Sequence, residues 1–337
     1  MLMNIDYKND IYFDSRLGEI YAKLDHGKFQ EFTFENAAGK IRHQFIIRPV
    51  ELENGLAGAD LEACYDLITP YGYGGPMILD MLPGRKEELL AAFAEAFQNY
   101  CREHNIVSEF VRFHPIANNA ADFSSIYDLE LFNHTVGTNL SDYDDPVQEE
   151  FSRSARKQIR RCLRNGLTFS LEEYPDTLED FAEVYYQTMD RNDAMEKYYF
   201  DSSYFAAFVE TMPDAVLKCS VHYQGKTIAM GFYLRSKDLL HTHLSGTLSE
   251  YLYLSPAYLL RYGLVQWGKK QGYKLIHNGG GTSGKADDSL YVFKKRFGQN
   301  TEFDYYIGRK IWNEDLYRRL VELTGTAGTT FFPQYRC

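Results

Sequence analysis

The sequence predicts an α/β (α+β) protein of two domains whose mixed, mostly antiparallel sheets are flanked by helices. Its 337 residues exceed the usual size of one domain. Hydrophobic residues make up 45% and charged residues 25%, an ordinary globular balance. Both halves of the chain follow the order strands, helix, strand, and an acidic turn, SDYDDP at 141–146, separates them. We therefore expect two domains on one plan, although no internal sequence repeat is visible.

The first half predicts an antiparallel meander followed by a helix and a strand. Three β-rich runs, Ile20–Leu24, Phe29–Phe34 and Gln44–Arg48, are separated by turn residues, which favours short strands. Lys86–His104 carries apolar residues at helical spacing and predicts a helix. Ile106–His114 then predicts a strand. This order indicates an α/β domain that ends before the acidic turn.

Tyrosines and glycines alternate in the loop at 69–76, TPYGYGGP. Two interpretations stay open: a tight loop held by aromatic packing, or a loop whose backbone and whose Tyr71 and Tyr73 rings line a ligand groove. Arg112 and His114 lie two residues apart near the end of the following strand, so their side chains share one face. These four residues are candidates for substrate binding.

The second half predicts two helices, three antiparallel strands, a further helix and a strand. The first two helices are expected at Glu149–Asn165 and Leu178–Arg191. The later elements, in chain order, are strands Leu217–Tyr223, Thr227–Ser236 and Leu239–Ser245, helix Pro256–Gln271 and strand Tyr273–His277. We expect Ser255 to be the N-cap of the long helix and Pro256 its first residue.

The helix predicted at 149–165 has one strongly basic face. Six cations lie at spacings of three and four, opposite an apolar stripe that includes Ile159 and Leu163. The six are Arg153, Arg156, Lys157, Arg160, Arg161 and Arg164. They form either a solvated face offset by acidic neighbours or a docking surface for a phosphate-rich substrate. In the second interpretation Arg156 and Arg160 are the candidate contacts.

Three consecutive glycines, Gly279, Gly280 and Gly281, follow the last predicted strand of this half. Glycine leaves the backbone N–H groups without side-chain cover, so a phosphate or carbonyl oxygen can approach the main chain closely. Lys294 and Lys295 follow within a mixed aromatic and basic segment. The stretch is therefore a candidate binding site for an acyl donor or phosphate.

Several classes of site are excluded or disfavoured by the motifs that are absent. Gly279–Lys285 fits G-x-x-x-x-G-K, but Ala286 lacks the hydroxyl that would hold Mg²⁺, which argues against an NTPase. No G-x-S-x-G elbow occurs. The five cysteines are scattered without CxxC spacing, which argues against a zinc site or a disulfide framework. His241 and His243 lack a spaced third ligand, so packed or hydrogen-bonded histidines are favoured.

The charge and hydropathy patterns bound the location and the partners. With a net charge of −11, the surface as a whole is unsuited to non-specific nucleic-acid binding, so any polyanion must contact a local patch. The N-terminal sequence MLMNIDYKND has no signal-peptide pattern, and no apolar run approaches the length of a membrane span. We expect a soluble, cytoplasmic protein.

Five motifs together carry a family resemblance. They are TPYGYGGP (69–76), RFHP (112–115), SARKQIRRCLRNG (154–166), the glycines at 279–281 and FKKRFG (293–298). In this order they resemble the FemABX family, tandem GNAT-like aminoacyltransferases that build peptidoglycan cross-bridges from aminoacyl-tRNA. The resemblance implies two GNAT-like domains, at 1–145 and 146–317. It also implies that the segment 318–337 packs back on the first domain.

The resemblance also implies the activity and the roles of individual residues. We expect the protein to transfer an acyl or aminoacyl group to an amine of a small molecule or peptide, with no required cofactor and no metal. The donor would be aminoacyl-tRNA or acyl-CoA, so tRNA is a possible partner. Lys294 matches the lysine of the family's F-K pair and is expected to contact the reacting carbonyl. Lys295 and the tyrosine, arginine and histidine candidates would bind substrate, and Ser255 with the three glycines would bind the donor.

Two other interpretations remain open at this stage. One is a GNAT-type N-acyltransferase that uses an acyl-CoA on an amine unrelated to peptidoglycan. The other is a GNAT-like binding module that has kept the groove and lost the chemistry.

Overall fold

The computed structural model describes residues 4–50 and 62–337. The chain groups into two compact units. Unit 1 comprises the described residues up to Ile11 together with Asn133–Asp304, and unit 2 comprises the described parts of Tyr12–Phe132 together with Tyr305–Cys337. Mixed sheets flanked by helices confirm the predicted fold class. The chain was expected to divide near residue 145. The units instead meet between Phe132 and Asn133 and between Asp304 and Tyr305, and both positions lie inside strands.

Nine helices lie in the described part of the chain, and in order they are α1 (Ser15–Leu24), α2 (Lys86–Glu103), α3 (Pro146–Glu150), α4 (Arg153–Arg164), α5 (Glu179–Arg191), α6 (Ser202–Thr211), α7 (Ala257–Gln271), α8 (Ser289–Lys295) and α9 (Glu314–Thr324). The strands described are β1 (Lys28–Asn36), β2 (Gly39–Pro49), β3 (Tyr65–Ile68), β4 (Met77–Met81), β5 (Ile106–Arg112), β6 (Asp128–Asn139), β7 (Thr168–Glu173), β8 (Val216–Tyr223), β9 (Lys226–Arg235), β10 (Leu239–Thr247), β11 (Leu275–Gly279) and β12 (Glu302–Ile311). Among the described helices, none is long and apolar enough to cross a membrane.

In unit 2 the strands follow the order β1-β2-β3-β5-β12, and β4 also pairs with β2. β3 and β5 run parallel, while the other pairs are antiparallel. The helix α2 buries Leu89, Phe93 and Phe97 against this sheet. The last 33 residues also belong here: Tyr335 donates or accepts a hydrogen bond of 2.7 Å with Ser108. The segment Tyr305–Cys337 thus groups with Tyr12–Phe132, and the expected domain bounds stay a prediction.

In unit 1 the strands follow the order β6-β11-β10-β9-β8-β7. The pair β10 and β11 is parallel over three residues, from Leu239 opposite Leu275 to His241 opposite His277. The other pairs of this unit are antiparallel. The helices α4 and α7 cover one face of the sheet, where they share a hydrophobic core with its strands. Beyond His277 the strand β11 continues toward the glycine loop without pairing to β10.

Three sequence predictions of local structure are wrong. Ile20–Leu24 is the end of helix α1, because Asp14 caps the helix at the Arg16 N–H and its apolar residues fall at helical spacing. The helix expected at 149–165 is two helices, because Phe151 is extended and Ser152 caps α4 at the Ala155 N–H. Leu163 does not join the apolar stripe and is 42% exposed.

Candidate active site

The glycine loop of unit 1 is held by a carboxylate that also caps the helix after it. Oδ2 of Asp288 accepts hydrogen bonds from the backbone and hydroxyl of both Thr282 and Ser283, at 2.8–3.0 Å. Its Oδ1 accepts from the N–H groups of Leu290 and Tyr291, both at 3.0 Å, at the start of α8. These donors hold the pKa of Asp288 well below its usual range, against the opposing effect of desolvation.

Lys294 lies at the C-terminal end of α8 and points back to the glycine loop. Its Nζ donates a hydrogen bond of 2.7 Å to the carbonyl oxygen of Gly280. Burial is the main cause that lowers the pKa of Lys294 to about 7, and the positive charge of Arg261 acts in the same direction. Asp288 opposes both. Lys294 is therefore a desolvated amine that changes charge near neutral pH.

Aromatic packing and one close backbone contact position α8. Tyr258 of α7 packs against Phe293 and Phe297, with ring centroids 5.5 and 5.4 Å away. A Cβ at Gly298 would lie 1.9 Å from the carbonyl oxygen of Gly137, so only glycine fits there. The aromatic rings on one side and the strand backbone on the other therefore hold the helix that carries Lys294 in place.

The two residues that follow Lys294 are engaged elsewhere. Lys295 forms an ion pair of 2.9 Å with Glu302. Arg296 donates a hydrogen bond of 2.5 Å to the hydroxyl of Tyr258. Of these three consecutive cations, Lys294 is the one whose amine is directed at the glycine loop. Lys294 is also the residue that the family resemblance indicates as the contact of the reacting carbonyl.

Tight packing is a reason for glycine at two of the three loop positions. A Cβ on Gly281 would lie 2.5 Å from the carboxyl carbon of Asp288, and one on Gly280 would lie 2.9 Å from Oδ1 of Asn133. Gly279 has a φ of +72°, which favours glycine for conformational reasons. The interpretation from sequence, glycine as bare backbone for an oxygen atom, missed these packing reasons and stays a prediction about binding.

Ser255 is not the N-cap of α7. Its backbone is left-handed, with a φ of 55°, and it ends the preceding 3₁₀ turn. The helix begins at Ala257 with Pro256 as its cap residue, and no side chain caps that end. The expected capping role is therefore wrong. Binding of the donor at Ser255 stays a prediction.

The basic helix α4 exposes most of its cations. Arg153, Lys157 and Arg160 are exposed, as are Arg161 and Arg164. Arg156 instead donates hydrogen bonds from Nη1 to the carbonyl oxygens of Gln148 and Phe151, which ties α4 to the end of α3. Arg160 thus remains a candidate surface contact for a polyanion, while part of the Arg156 guanidinium has a structural partner.

The candidates at 69–76 and 112–114 lie in unit 2. Tyr73 makes edge contacts with the rings of Tyr12 and Tyr305, each at 5.1 Å, while Tyr71 is 45% exposed. Arg112 donates from Nη1 to the carbonyl oxygen of Thr69 at 3.0 Å, close to this aromatic cluster. Burial raises the pKa of Tyr305 to about 12 and that of Tyr73 well above its usual value. Both phenols therefore stay neutral.

The three histidines considered in the sequence pack against neighbouring side chains. His114 is fully buried, stacks on Phe13 at 5.4 Å, and its Nδ1 accepts from the Ala117 N–H at 3.1 Å. His241 contacts Asp10 at 2.8 Å, and His243 contacts the Tyr204 hydroxyl at 2.7 Å. Across residues 4–50 and 62–337, no cluster of ligands could hold a metal ion.

Two residues of this site escaped the reading of the sequence. Asp288 carries an N-cap signature, an aspartate directly before an apolar segment at helical spacing. Arg261 shares the buried face of α7 with Leu264, Val265 and Gly268. A charge at an otherwise apolar helical position was the available signal.

Known proteins resemble this chain in sequence and in fold. The family model described as Acetyltransferase (GNAT) domain matches residues 150–295, which include the glycine loop and Lys294. A UDP-N-acetylmuramoylpentapeptide-lysine N(6)-alanyltransferase of Weissella viridescens is 25% identical over 176 residues. The crystal structure of FemX covers 94% of this chain and 95% of its own, at 12% identity and a TM-score of 0.67. These comparisons support the resemblance to the FemABX family.

The chain spans about half the length of the curated relative it matches, with 51% of each chain aligned. A second solved structure, the C-terminal domain of a putative lysylphosphatidylglycerol synthetase from Agrobacterium fabrum, has a TM-score of 0.56 at 13% identity. The match covers 98% of this chain and 97% of that one. Likeness at this identity concerns the fold, and it extends over both units.

Proposed function

We propose that this chain is a FemABX-type enzyme that transfers an aminoacyl group from an aminoacyl-tRNA to an amine of a cell-wall peptide precursor. The observation that carries the proposal is Lys294, a desolvated amine fixed 2.7 Å from the carbonyl oxygen of Gly280 on a GNAT-like scaffold. The Weissella viridescens relative, an alanyltransferase by name, supports the substrate class.

The reaction makes one C–N bond and breaks one C–O bond. The acceptor nitrogen attacks the ester carbonyl, and its oxygen becomes an anion. Protonated Lys294 stabilises that oxyanion, because an ammonium in a dry site interacts more strongly with the developing charge than with the neutral carbonyl. The intermediate then expels the ribose oxygen, which takes up the proton that the amine releases. Water or substrate carries this proton.

A nucleic-acid donor is supported by the basic face of α4. Five of its cations are exposed although the chain has a net charge of −11. A local cationic surface on an acidic protein suits a phosphate backbone while disfavouring non-specific binding elsewhere. In this proposal Arg160 contacts donor phosphates, and Ser255 and the glycines 279–281 lie near the donor end.

The acceptor is assigned to the aromatic cluster of unit 2. Tyr71 offers an exposed ring and Arg112 a cation whose hydrogen bond to Thr69 fixes its direction. Rings with a nearby guanidinium suit a ligand that has both apolar and anionic parts. His114, which is enclosed by packing, would act through the shape of this loop.

An acyl-CoA donor is the second candidate, favoured by the acetyltransferase description of the matching family model. The test incubates the protein with UDP-N-acetylmuramoyl-pentapeptide and either alanyl-tRNA or acetyl-CoA, followed by mass spectrometry of the pentapeptide. We expect a mass gain of one alanyl residue with alanyl-tRNA alone. Acetylation of the pentapeptide or of a panel of other amines would favour the second candidate. No product with either donor across that panel would indicate a binding module without turnover.

A further inference from the structure

Arg261 is a buried cation with little inside the protein to satisfy it. It lies on the inward face of α7 and is 9% exposed. Its guanidinium has five N–H donors. Within the described residues its one side-chain hydrogen bond runs from Nη1 to Oδ1 of Asn278, at a long 3.3 Å, and no carboxylate pairs with it. Burying such a charge without a partner is costly.

The two acidic side chains that act on Arg261 are neutral. They are Tyr233 and Cys219, from neighbouring strands of the sheet. Burial raises the pKa of Cys219 to about 12 and that of Tyr233 beyond the range in which a phenol ionises in water. Neither side chain supplies a negative charge near neutral pH, so the charge of Arg261 remains uncompensated.

The hydroxyl of Tyr233 is a second unsatisfied group at the same place. Tyr233 is fully buried, and its hydroxyl has no hydrogen-bond partner in the described chain. Gly231 makes room for it, since a Cβ there would lie 2.3 Å from the hydroxyl oxygen. Buried hydroxyls nearly always find a partner. A hydroxyl without a partner, near a guanidinium that makes one long hydrogen bond, indicates a ligand that binds both.

The register of the sheet places these groups where two strands part. The parallel pairing of β10 with β11 has its last pair at His241 and His277. Asn278, which accepts from Arg261, is the next residue of β11. Thr242, the partner of Tyr233, is the next residue of β10. Arg261 and Tyr233 therefore flank the start of the gap between β10 and β11.

A second cation is anchored two residues further along the same strand end. Arg261 binds Asn278, and Lys294 binds the carbonyl oxygen of Gly280. The Lys294 ammonium is also without a carboxylate at ion-pair distance in the described residues, although Asp288 acts on it from the α8 cap. Two positive charges thus converge on the segment 278–280.

We propose that Arg261, Tyr233 and Lys294 form a binding site for a compact oxyanion, a phosphoryl or carboxylate group, at the gap between β10 and β11. Such a ligand accepts from the spare guanidinium donors and from the tyrosine hydroxyl, and its charge offsets both cations. The site does not depend on the identity of the acyl donor proposed above.

The test measures binding of inorganic phosphate and of acetate by isothermal titration calorimetry, at pH 6.5 and at an ionic strength held constant with sodium chloride. Arg261→Met removes the charge and keeps an unbranched stem, Arg261→Lys keeps the charge, and Tyr233→Phe removes the hydroxyl alone. Lys270→Met removes an exposed cation from the same helix and is the matched control.

We expect saturable binding of one of the anions to the wild-type protein, about tenfold weaker or more in Arg261→Met, because a hydrogen bond to a charged group is lost. Tyr233→Phe should weaken binding several-fold, Arg261→Lys should retain part of it, and Lys270→Met should bind as the wild type does. Preference for phosphate assigns a phosphoryl group or a tetrahedral centre, and preference for acetate assigns a carboxylate.

Thermal unfolding without added anion gives an independent readout. If the cation is uncompensated, Arg261→Met should melt at the wild-type temperature or above it. A clearly lower melting temperature would show that the protein itself satisfies the guanidinium and would overturn the site. So would equal anion affinity in the wild type, Arg261→Met and Tyr233→Phe. Neither measurement uses turnover, so anion binding in a protein that is inactive with every donor would overturn the proposed function alone.

Discussion

A buried carboxylate of unit 2 and a buried guanidinium of unit 1 are satisfied to different degrees. Glu109, 1% exposed, accepts from Tyr127 and Trp312, both at 3.1 Å, and contacts Nε2 of His43 at 2.5 Å. Arg261, 9% exposed, has one long hydrogen bond to Asn278. Burial alone therefore does not distinguish the two groups, and the number of partners does.

The difference separates a structural group from a functional one. A polar network with every member paired makes a core rigid and specific. A buried cation without a carboxylate partner adds a cost that an anionic ligand can remove, so such groups concentrate at binding sites. Lys294 belongs with Arg261 in this respect, and Glu109 belongs to the core. Five predictions test this distinction between structural and functional groups.

Lys294→Met should have the largest effect, a loss of ~10²–10³ in turnover, by analogy with removal of one oxyanion donor. The substitution keeps length and apolar stem and removes the charge. Rates at saturating donor and acceptor measure it, and KM should change far less. Lys295→Met is the control, because Lys295 is paired with Glu302. Near-normal turnover of Lys294→Met, with a loss in Lys295→Met, would move the assignment to Lys295.

Glu109→Gln should lower the free energy of unfolding by about 2–3 kcal/mol, because three donors lose a charged acceptor and one meets an amide N–H instead. Urea unfolding measures it. Glu88→Gln is the matched control in the same unit, since Glu88 is an exposed partner of Arg85 and its loss should leave unfolding unchanged within error. A stable Glu109→Gln protein would remove the contrast with Arg261.

The pH dependence of stability should report the burial of Lys294. Its pKa is about 7 in the folded protein and near 10.4 in an unfolded chain. Between these values the unfolded chain binds more protons, so stability rises with pH and is lost as pH falls toward 7. From pH 7 to 9 the wild type should gain about 2 kcal/mol relative to Lys294→Met. Urea unfolding of both proteins at both pH values measures this, and parallel curves would refute the low pKa.

Asp288→Ala should cost about 1 kcal/mol, the usual value of an N-cap, and should loosen the glycine loop that Lys294 contacts. We expect turnover to fall by roughly tenfold with the fold intact. Asp287→Ala is the control, because Asp287 is the exposed neighbour of Asp288. Equal activity of the two variants would show that the cap does not position Lys294.

Arg156→Ala with Arg160→Ala should have the smallest effect, a salt dependence of tRNA binding lower by at most about two units of slope. Because Arg156 also binds carbonyl oxygens of α3, Arg160→Ala alone should account for about one unit. Filter binding across a series of salt concentrations measures the slope. The control removes exposed Arg318 and Arg319 from α9. A slope equal to the control's would mean that α4 is solvated surface.

Long, strongly periodic elements were predictable from sequence and short ones were not. Lys86–His104 gives the helix α2, whose bounds differ from the prediction by one residue. Ile20–Leu24 was misread as a strand because five apolar-rich residues fit both periods, and the deciding signal was the Asp14 cap upstream. The break between α3 and α4 also escaped prediction, because Phe151 becomes extended through its packing in the core.

The sequence by itself determined the fold class, the resemblance to the FemABX family and the candidate Lys294, because helical and strand periodicity and the order of motifs are properties of the chain alone. Only the tertiary structure decided which cations are paired. Lys294, Lys295 and Arg296 are alike in sequence, yet one contacts the glycine loop, one pairs with Glu302 and one binds Tyr258. Likewise, the lack of a carboxylate partner for Arg261 depends on strands far away in sequence. Desolvation and hydrogen-bond partners are set by contacts that no local pattern encodes.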